Sequence, residues 1–192
     1  LNKQEIEKKF KFNFLRKNIL VTFHPVTLEK NSTKYHFLQI LKVLSKLKDT
    51  RIIFTYPNAD AQGKIIIKMI KDFVKKNNKK AVAFKNLGHI NFLSVVRNVD
   101  MLMGNSSSGI TDAPLFKIPT IDIGDRQKGR IKPKSVIECK PRVKKILFFI
   151  NKVYSKNFKK KIKKIRIESL RMDATKNIIK ILKKELPIIN LK

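Results

Sequence analysis

The chain has 192 residues, is 42% hydrophobic and carries a formal charge of +31, from 45 Lys and Arg against 14 Asp and Glu. That length supports one good core and excludes two large domains, and the apolar fraction excludes a disordered polar tail. The positive excess raises nucleic acid or an anionic membrane as partners, yet its distribution argues against specific recognition of nucleic acid: lysines are spread over nearly every predicted helix face among Ile and Asn, while arginine, the bidentate reader of phosphates and bases, is scarce.

In chain order, the stretch from Asn2 to Lys17 is Lys/Asn-rich and reads as a helix or as a joint to something upstream, so residues 1–16 are set apart from a domain over 17–192. "KNILVTFHP" is a short apolar run closed by a proline, the pattern of a strand buried on both faces. "YHFLQILKVLSKL" repeats apolar residues at helical spacing, with Ser32 and Thr33 available as N-caps. "RIIFTYP" predicts a second strand, "GKIIIKMIKDFVKK" an amphipathic helix, "AVAF" a third strand and "INFLSVVRNV" another helix. "DMLMG" and "TIDIG" complete five strands, and from "PRVKKILFFINKVYS" to "DATKNIIKILKKEL" the pattern is helical only. This alternation predicts an α/β fold: a doubly wound, Rossmann-like parallel sheet with helices on both faces, followed by C-terminal helices. No apolar run approaches a membrane span, and the basic N-terminal stretch lacks a signal-peptide core. A single cysteine, Cys139, permits no internal disulfide, which points to a reducing cytoplasm.

Ligands of such a sheet sit at the carboxyl ends of its strands. The loop "GNSSSGITDAP" falls there, and a glycine followed by small residues lets the backbone turn tightly and aim N–H groups, with the positive end of the next helix, at an anion. Ser106, Ser107 and Ser108 add hydroxyl donors. Asp112, about 9 Å farther along a helix, suits the two hydroxyls of a vicinal diol such as ribose. A serine N-cap with an acidic first turn accounts for the same letters structurally, and the residues alone leave both open. Pro114 predicts a break or kink between Ile110 and Pro114. Arg126 and Arg130 follow the next strand and either hold a diphosphate or pair with Asp125 and solvent. His24, its direction fixed by Pro25, is a phosphate donor, an acid near neutral pH, or a structural strand-end histidine. Asn58 either caps or touches a sugar hydroxyl, and Phe92, with His89 and Ile90, either covers a base or fills the core.

Taken together, "VTFHPVTLE", "PNAD", the matching letters of "LGHINFLS", "GNSSSGI" with "AP" and "KIPTIDIGDRQKGR" behind it, and "SVIEC" resemble, in order and spacing, the C-terminal half of hydrolysing UDP-N-acetylglucosamine 2-epimerases, over about Lys17 to Cys139. The resemblance implies the C-terminal domain of a glycosyltransferase-B-like clamshell that grips the nucleotide diphosphate of a UDP-sugar. By motif, it implies that Ser106 and Ser107 bind the diphosphate, that Arg126 neutralises it, that His24 is the catalytic histidine at the leaving diphosphate, that Asn58 lies near the substrate and that Asp112 accepts the ribose diol. Asp112 replaces the family's usual glutamate and is one methylene shorter, which implies a longer or water-mediated contact. The glycine-rich loop expected before the last helix is replaced by "RIESLRMDATKNI".

The same resemblance implies that UDP leaves by anti elimination to a 2-acetamidoglucal, after which water adds with inversion at carbon 2. The products are N-acetylmannosamine or a related 2-acetamido sugar, and UDP, in sialic-acid-type or surface-polysaccharide synthesis, with neither metal nor cofactor. The base at carbon 2 comes from carboxylates of an N-terminal half. A chain that opens on Leu1 and resembles only the other half is expected to be a fragment or one product of a divided gene, inactive without an N-terminal domain on the same or a separate chain. Homodimerisation is left open; neither specific nucleic acid nor a membrane is expected as a partner. A nucleotide-sugar glycosyltransferase half and a non-catalytic binding module remain as alternatives.

Overall fold

The computed structural model of the chain describes residues 1–26, 32–58, 61–165 and 174–185. The strands are β1 (Lys17–Thr22), β2 (Thr50–Thr55), β3 (Ala81–Phe84), β4 (Met101–Gly104), β5 (Thr120–Ile123) and β6 (Val136–Cys139). They form one sheet in the order β3-β2-β1-β4-β5-β6, and every pairing is parallel. The helices are α1 (Lys3–Phe10), α2 (Ser32–Lys46), α3 (Ala61–Lys76), α4 (His89–Asn98), α5 (Ser108–Thr111), α6 (Val143–Tyr154), α7 (Lys156–Lys163) and α8 (Ala174–Glu185). Among the described residues, none of them is long and apolar enough to cross a membrane.

β1 is central, in register with β2 from Lys17↔Thr50 to Thr22↔Thr55 and with β4 from Ile19↔Met101 to Thr22↔Gly104. Successive side chains of a strand point to opposite faces, so its unbroken apolar run serves two cores. Ile19, Val21, Ile52 and Phe54 face α2, α3, α6 and α7, while Leu20, Ile53 and Leu102 face α1, α4 and the segment after α5. The doubly wound arrangement follows from that division.

The structure corrects the expectation of five strands, because "SVIEC" forms β6. It pairs with β5 from Thr120↔Val136 to Ile123↔Cys139, yet only Cys139 of its four residues is buried. Pairing to the open edge of β5, rather than its own composition, makes it a strand. The opening stretch is helical: in a capping box Asn2 Oδ1 accepts the Glu5 N–H and Glu5 accepts the Asn2 N–H, and Ile6 is fully buried in the second core. Ser32 and Thr33 lie inside the first turn of α2 rather than at its cap; Thr33 is buried and its hydroxyl accepts the Val26 N–H at 3.4 Å. The expected break is present, since α5 ends at Thr111 and a 3₁₀ turn, Ala113–Phe116, follows with Pro114 near its start. α8 matches the last expected helix and holds its side chains at 175–185 on the surface, whereas the "RIESLRMD" part of the tail, like Thr27 to Glu29 and Ala59–Asp60 of the quoted motifs, lies outside the described residues.

Candidate functional site

The strand order reverses between β1 and β4, with α2 on one face of the sheet and the segment after α5 on the other, which opens a crevice at that point. A cavity of about 830 Å³ occupies it, reached by Thr22 and His24 from β1, Tyr56 and Asn58 after β2, Leu87, Gly88, His89 and Phe92 after β3, and Ser106 and Ser108 after β4. Burial lifts the Tyr56 phenol above its ordinary value, so at neutral pH it is an uncharged hydrogen-bonding group. The two lips approach closely because Gly104 has φ 140° and no side chain: a Cβ there would stand 1.8 Å from the Thr22 carbonyl oxygen.

Ser107 occupies the N-cap position of α5 without a side-chain capping bond. The Ser108 hydroxyl donates to Ser106 Oγ at 2.9 Å. Among the described residues the backbone N–H groups of Ser106, Ser107 and Ser108 donate to no backbone carbonyl, as expected at the start of a helix. The loop therefore presents local amides and hydroxyls; a single helical turn behind them contributes little dipole.

His24, Asn58 and Ser106 meet at the cavity, whereas Ser107, Asp112 and Arg126 stand outside its lining. Asp112 is half-buried at the junction of α5 and the 3₁₀ turn, with its backbone N–H donated to Ser108 at 2.9 Å. Arg126 makes no ion pair with Asp125; its Nη1 donates to the Asn105 carbonyl at 2.9 Å, which ties the exposed guanidinium to the serine loop. Phe92 both lines the cavity and packs against the second core. Ile90 is 74% exposed beside it.

Sequence reasoning misses Asn105 and Gln127. Asn105, 1% exposed, accepts the His24 N–H at 2.7 Å and donates to the His24 carbonyl at 2.8 Å. Gln127 Nε2 donates to the Asn105 carbonyl at 2.7 Å. Neither leaves a local signal, because Asn105 stands between Gly104 and Ser106 and Gln127 between Arg126 and Lys128, and only the fold buries these amides, where an unpaired polar group is costly and must find partners. The loop after β5 is further pinned by Lys132, whose Nζ lies 2.9 Å from the Asp122 carboxylate and also bonds Glu138. Among the described residues no group of His, Cys, Asp and Glu is arranged to hold a metal ion.

Fold and crevice define a doubly wound α/β domain with a cavity at the switch point. The chain belongs to the UDP-N-acetylglucosamine 2-epimerase family, whose model matches residues 1–183, beyond both ends of the motif-bearing stretch. GDP/UDP-N,N'-diacetylbacillosamine 2-epimerase (hydrolyzing) of Campylobacter jejuni is 38% identical over 159 residues, covering 83% of this chain and 41% of that protein. Polysialic acid biosynthesis protein P7 of Escherichia coli is 33% identical over 186 residues, covering 95% and 46% respectively. The chain thus spans about half the length of the curated relatives it matches. Among solved structures, the S. aureus MnaA-UDP co-structure superposes with a TM-score of 0.70 over 97% of this chain and 50% of that one, at 10% identity, a likeness of fold alone.

Proposed function

We propose that the chain is the C-terminal, UDP-binding half of a hydrolysing UDP-N-acetylglucosamine 2-epimerase, acting on UDP-N-acetylglucosamine or a related UDP-2-acetamido sugar in sialic-acid-type or surface-polysaccharide synthesis. The observation that carries this is the meeting at the switch point of His24 with the uncapped serine loop, to which Arg126 is tied. The names of the two relatives, a hydrolysing 2-epimerase and a polysialic acid biosynthesis protein, support the same reaction class. A cytoplasmic home fits a chain whose one cysteine is a buried thiol, pushed up to about 12 by burial against the opposing charge of Lys145.

In this reading Ser106 and Ser107 donate to diphosphate oxygens, and Arg126 spreads the charge that grows there as the bond between carbon 1 and oxygen breaks. His24 donates to the departing phosphate oxygen. The electron pair of the broken bond leaves with UDP, the carbon 2 proton goes to a base, and its pair forms the double bond to carbon 1. Water then returns a hydroxyl to carbon 1 and a proton to carbon 2 on the opposite face. Asn58 meets the sugar, Asp112 the ribose diol, and the side of the cavity bearing His89 and Phe92 the base. The proton acceptor belongs to an N-terminal half, and closure of the two halves places it and excludes water.

Calorimetry with UDP and uridine tests the site. A large preference for UDP is expected, since the diphosphate carries most of the contacts, and equal affinities would sink the assignment. The chain by itself is expected to show no turnover of UDP-N-acetylglucosamine, because a positioned general base alone contributes about 10² to 10⁴-fold. A matching N-terminal half supplied in trans restores activity, and His24→Ala then removes most of it. Transfer to an acceptor sugar instead of water would identify a glycosyltransferase half.

A further inference from the structure

We propose that Asn105 is a positioning residue that sets the place of His24 and couples it to occupancy of the serine loop, an inference that rests on the roles given above to His24, Ser106 and Ser107. Asn105 immediately precedes Ser106 and is almost wholly buried. Its side-chain amide meets the His24 backbone on both sides, with Oδ1 accepting the N–H at 2.7 Å and Nδ2 donating to the carbonyl at 2.8 Å. A carboxylate of the same size supplies the acceptor but not the donor, and an aliphatic side chain supplies neither. The pair copies a rung of a β-ladder just beyond the point where β1 and β4 stop pairing, and the Asn105 N–H adds a third bond to the Thr22 carbonyl at 3.1 Å.

The Asn105 carbonyl faces the other way and collects Arg126 Nη1 at 2.9 Å and Gln127 Nε2 at 2.7 Å. Gln127 is 3% exposed and accepts from Arg130 at 3.2 Å, so this side is braced as well. One residue therefore joins the loops after β1, β4 and β5, which together hold every group proposed to touch the diphosphate apart from solvent. Bonds in a chain of buried dipoles reinforce one another, and a two-point contact resists rotation where a single bond would swivel. An anion drawn onto the Ser106 and Ser107 amides acts on the peptide next to Asn105, and the clamp carries that to His24.

Amide exchange and imidazole NMR, with and without UDP, test this on the parent, Asn105→Ala and Asn105→Asp; with 3 histidines in the chain the His24 ring signal can be assigned. In Asn105→Ala the His24 N–H is expected to exchange at least about tenfold faster while Leu20 and Val21 keep their protection. In both variants UDP is expected to bind about tenfold more weakly, and the His24 ring signal no longer moves when it binds. Asn105→Asp retains the acceptor, loses the donor and adds a negative charge beside the serine loop, so its His24 N–H exchange and ring signal, rather than its UDP affinity, decide the matter if Asn105→Ala does not fold. Unchanged His24 protection in Asn105→Ala, or a UDP-induced ring shift that survives in Asn105→Asp, overturns the proposal. So does a uniform loss of protection along β1, the signature of a clamp that serves stability alone. If UDP fails to bind the parent, the site assignment falls, and the exchange of the His24 N–H still decides whether Asn105 positions it.

Discussion

Gly104 is a residue for which no substitute exists in the observed backbone. Its φ of 140° lies outside the range of ordinary side chains, and an added Cβ meets the Thr22 carbonyl at 1.8 Å. Gly104→Ala is expected to cost about 3 kcal/mol or more, the sum of strain and overpacking. Gly124→Ala, at φ 84° with nothing within 4 Å of the new Cβ, is expected to cost only about 1–2 kcal/mol. Urea denaturation of both variants checks the difference, and equal losses would show that the approach of the two lips is not what demands a glycine. Asp112 makes the opposite kind of prediction, because it stands back from the cavity lining. If its carboxylate reaches for the ribose diol, Asp112→Glu closes the gap; a bond to a charged acceptor is worth about 1.5–3 kcal/mol, so UDP affinity should rise roughly tenfold, and fall in Asp112→Ala. Calorimetry showing no response to either change would remove Asp112 from the site.

At the scale of elements, what was legible in the sequence is what local pattern decides. β1 and β2 announce themselves as apolar runs with turn residues behind them, and α3 by its helical spacing, because burial on both faces or on one stripe leaves a periodic trace. β6 leaves none: "VIEC" is only four residues long, holds Glu138 among its apolar residues and is made a strand by the edge of β5. Asn105 is invisible for a related reason, since its partner His24 lies 81 residues away and only the folded sheet brings them together. The arginines of the loop after β5 stand out in the sequence, while Gln127 on the Asn105 carbonyl and Lys132 on Asp122, which also fasten it, do not. Asp122 is 2% exposed, and burial holds its carboxyl above the usual range despite the hydrogen bond and charge of Lys132. A carboxyl raised on folding binds its proton more tightly in the native chain, so its contribution is fully present below the unfolded value of about 4 and declines as pH rises through the folded value. The stability of the parent relative to Asp122→Asn should therefore increase as pH is lowered from 7 toward 4. Chemical denaturation across that range checks it, and a decrease would mean that the pairing with Lys132 outweighs burial.

The whole molecule is dominated by uncompensated charge. Among the described residues ion pairs join Lys132 to Asp122 and Glu138 and Lys184 to Glu185, against a formal +31. Self-repulsion of this kind weakens with screening, whose range shrinks from about 30 Å at 0.01 M salt to about 3 Å at 1 M. The melting temperature is thus expected to climb as sodium chloride is raised through that range, and any binding to DNA to be indifferent to sequence and lost by moderate salt. Sequence-selective binding that persists at physiological salt, measured by fluorescence anisotropy, would make nucleic acid a partner in its own right. The strand order carries a consequence in time as well as in space. β1 finds β2 across a single helix, but it finds β4 only after α2, β2, α3, β3 and α4 have intervened, and the longer closure is the slower one to complete. A ligand gripped by both lips has nothing to hold until that late docking is done. UDP should accordingly slow unfolding in stopped-flow experiments and leave the refolding rate untouched, which makes the crevice the last seam to close and the first to part.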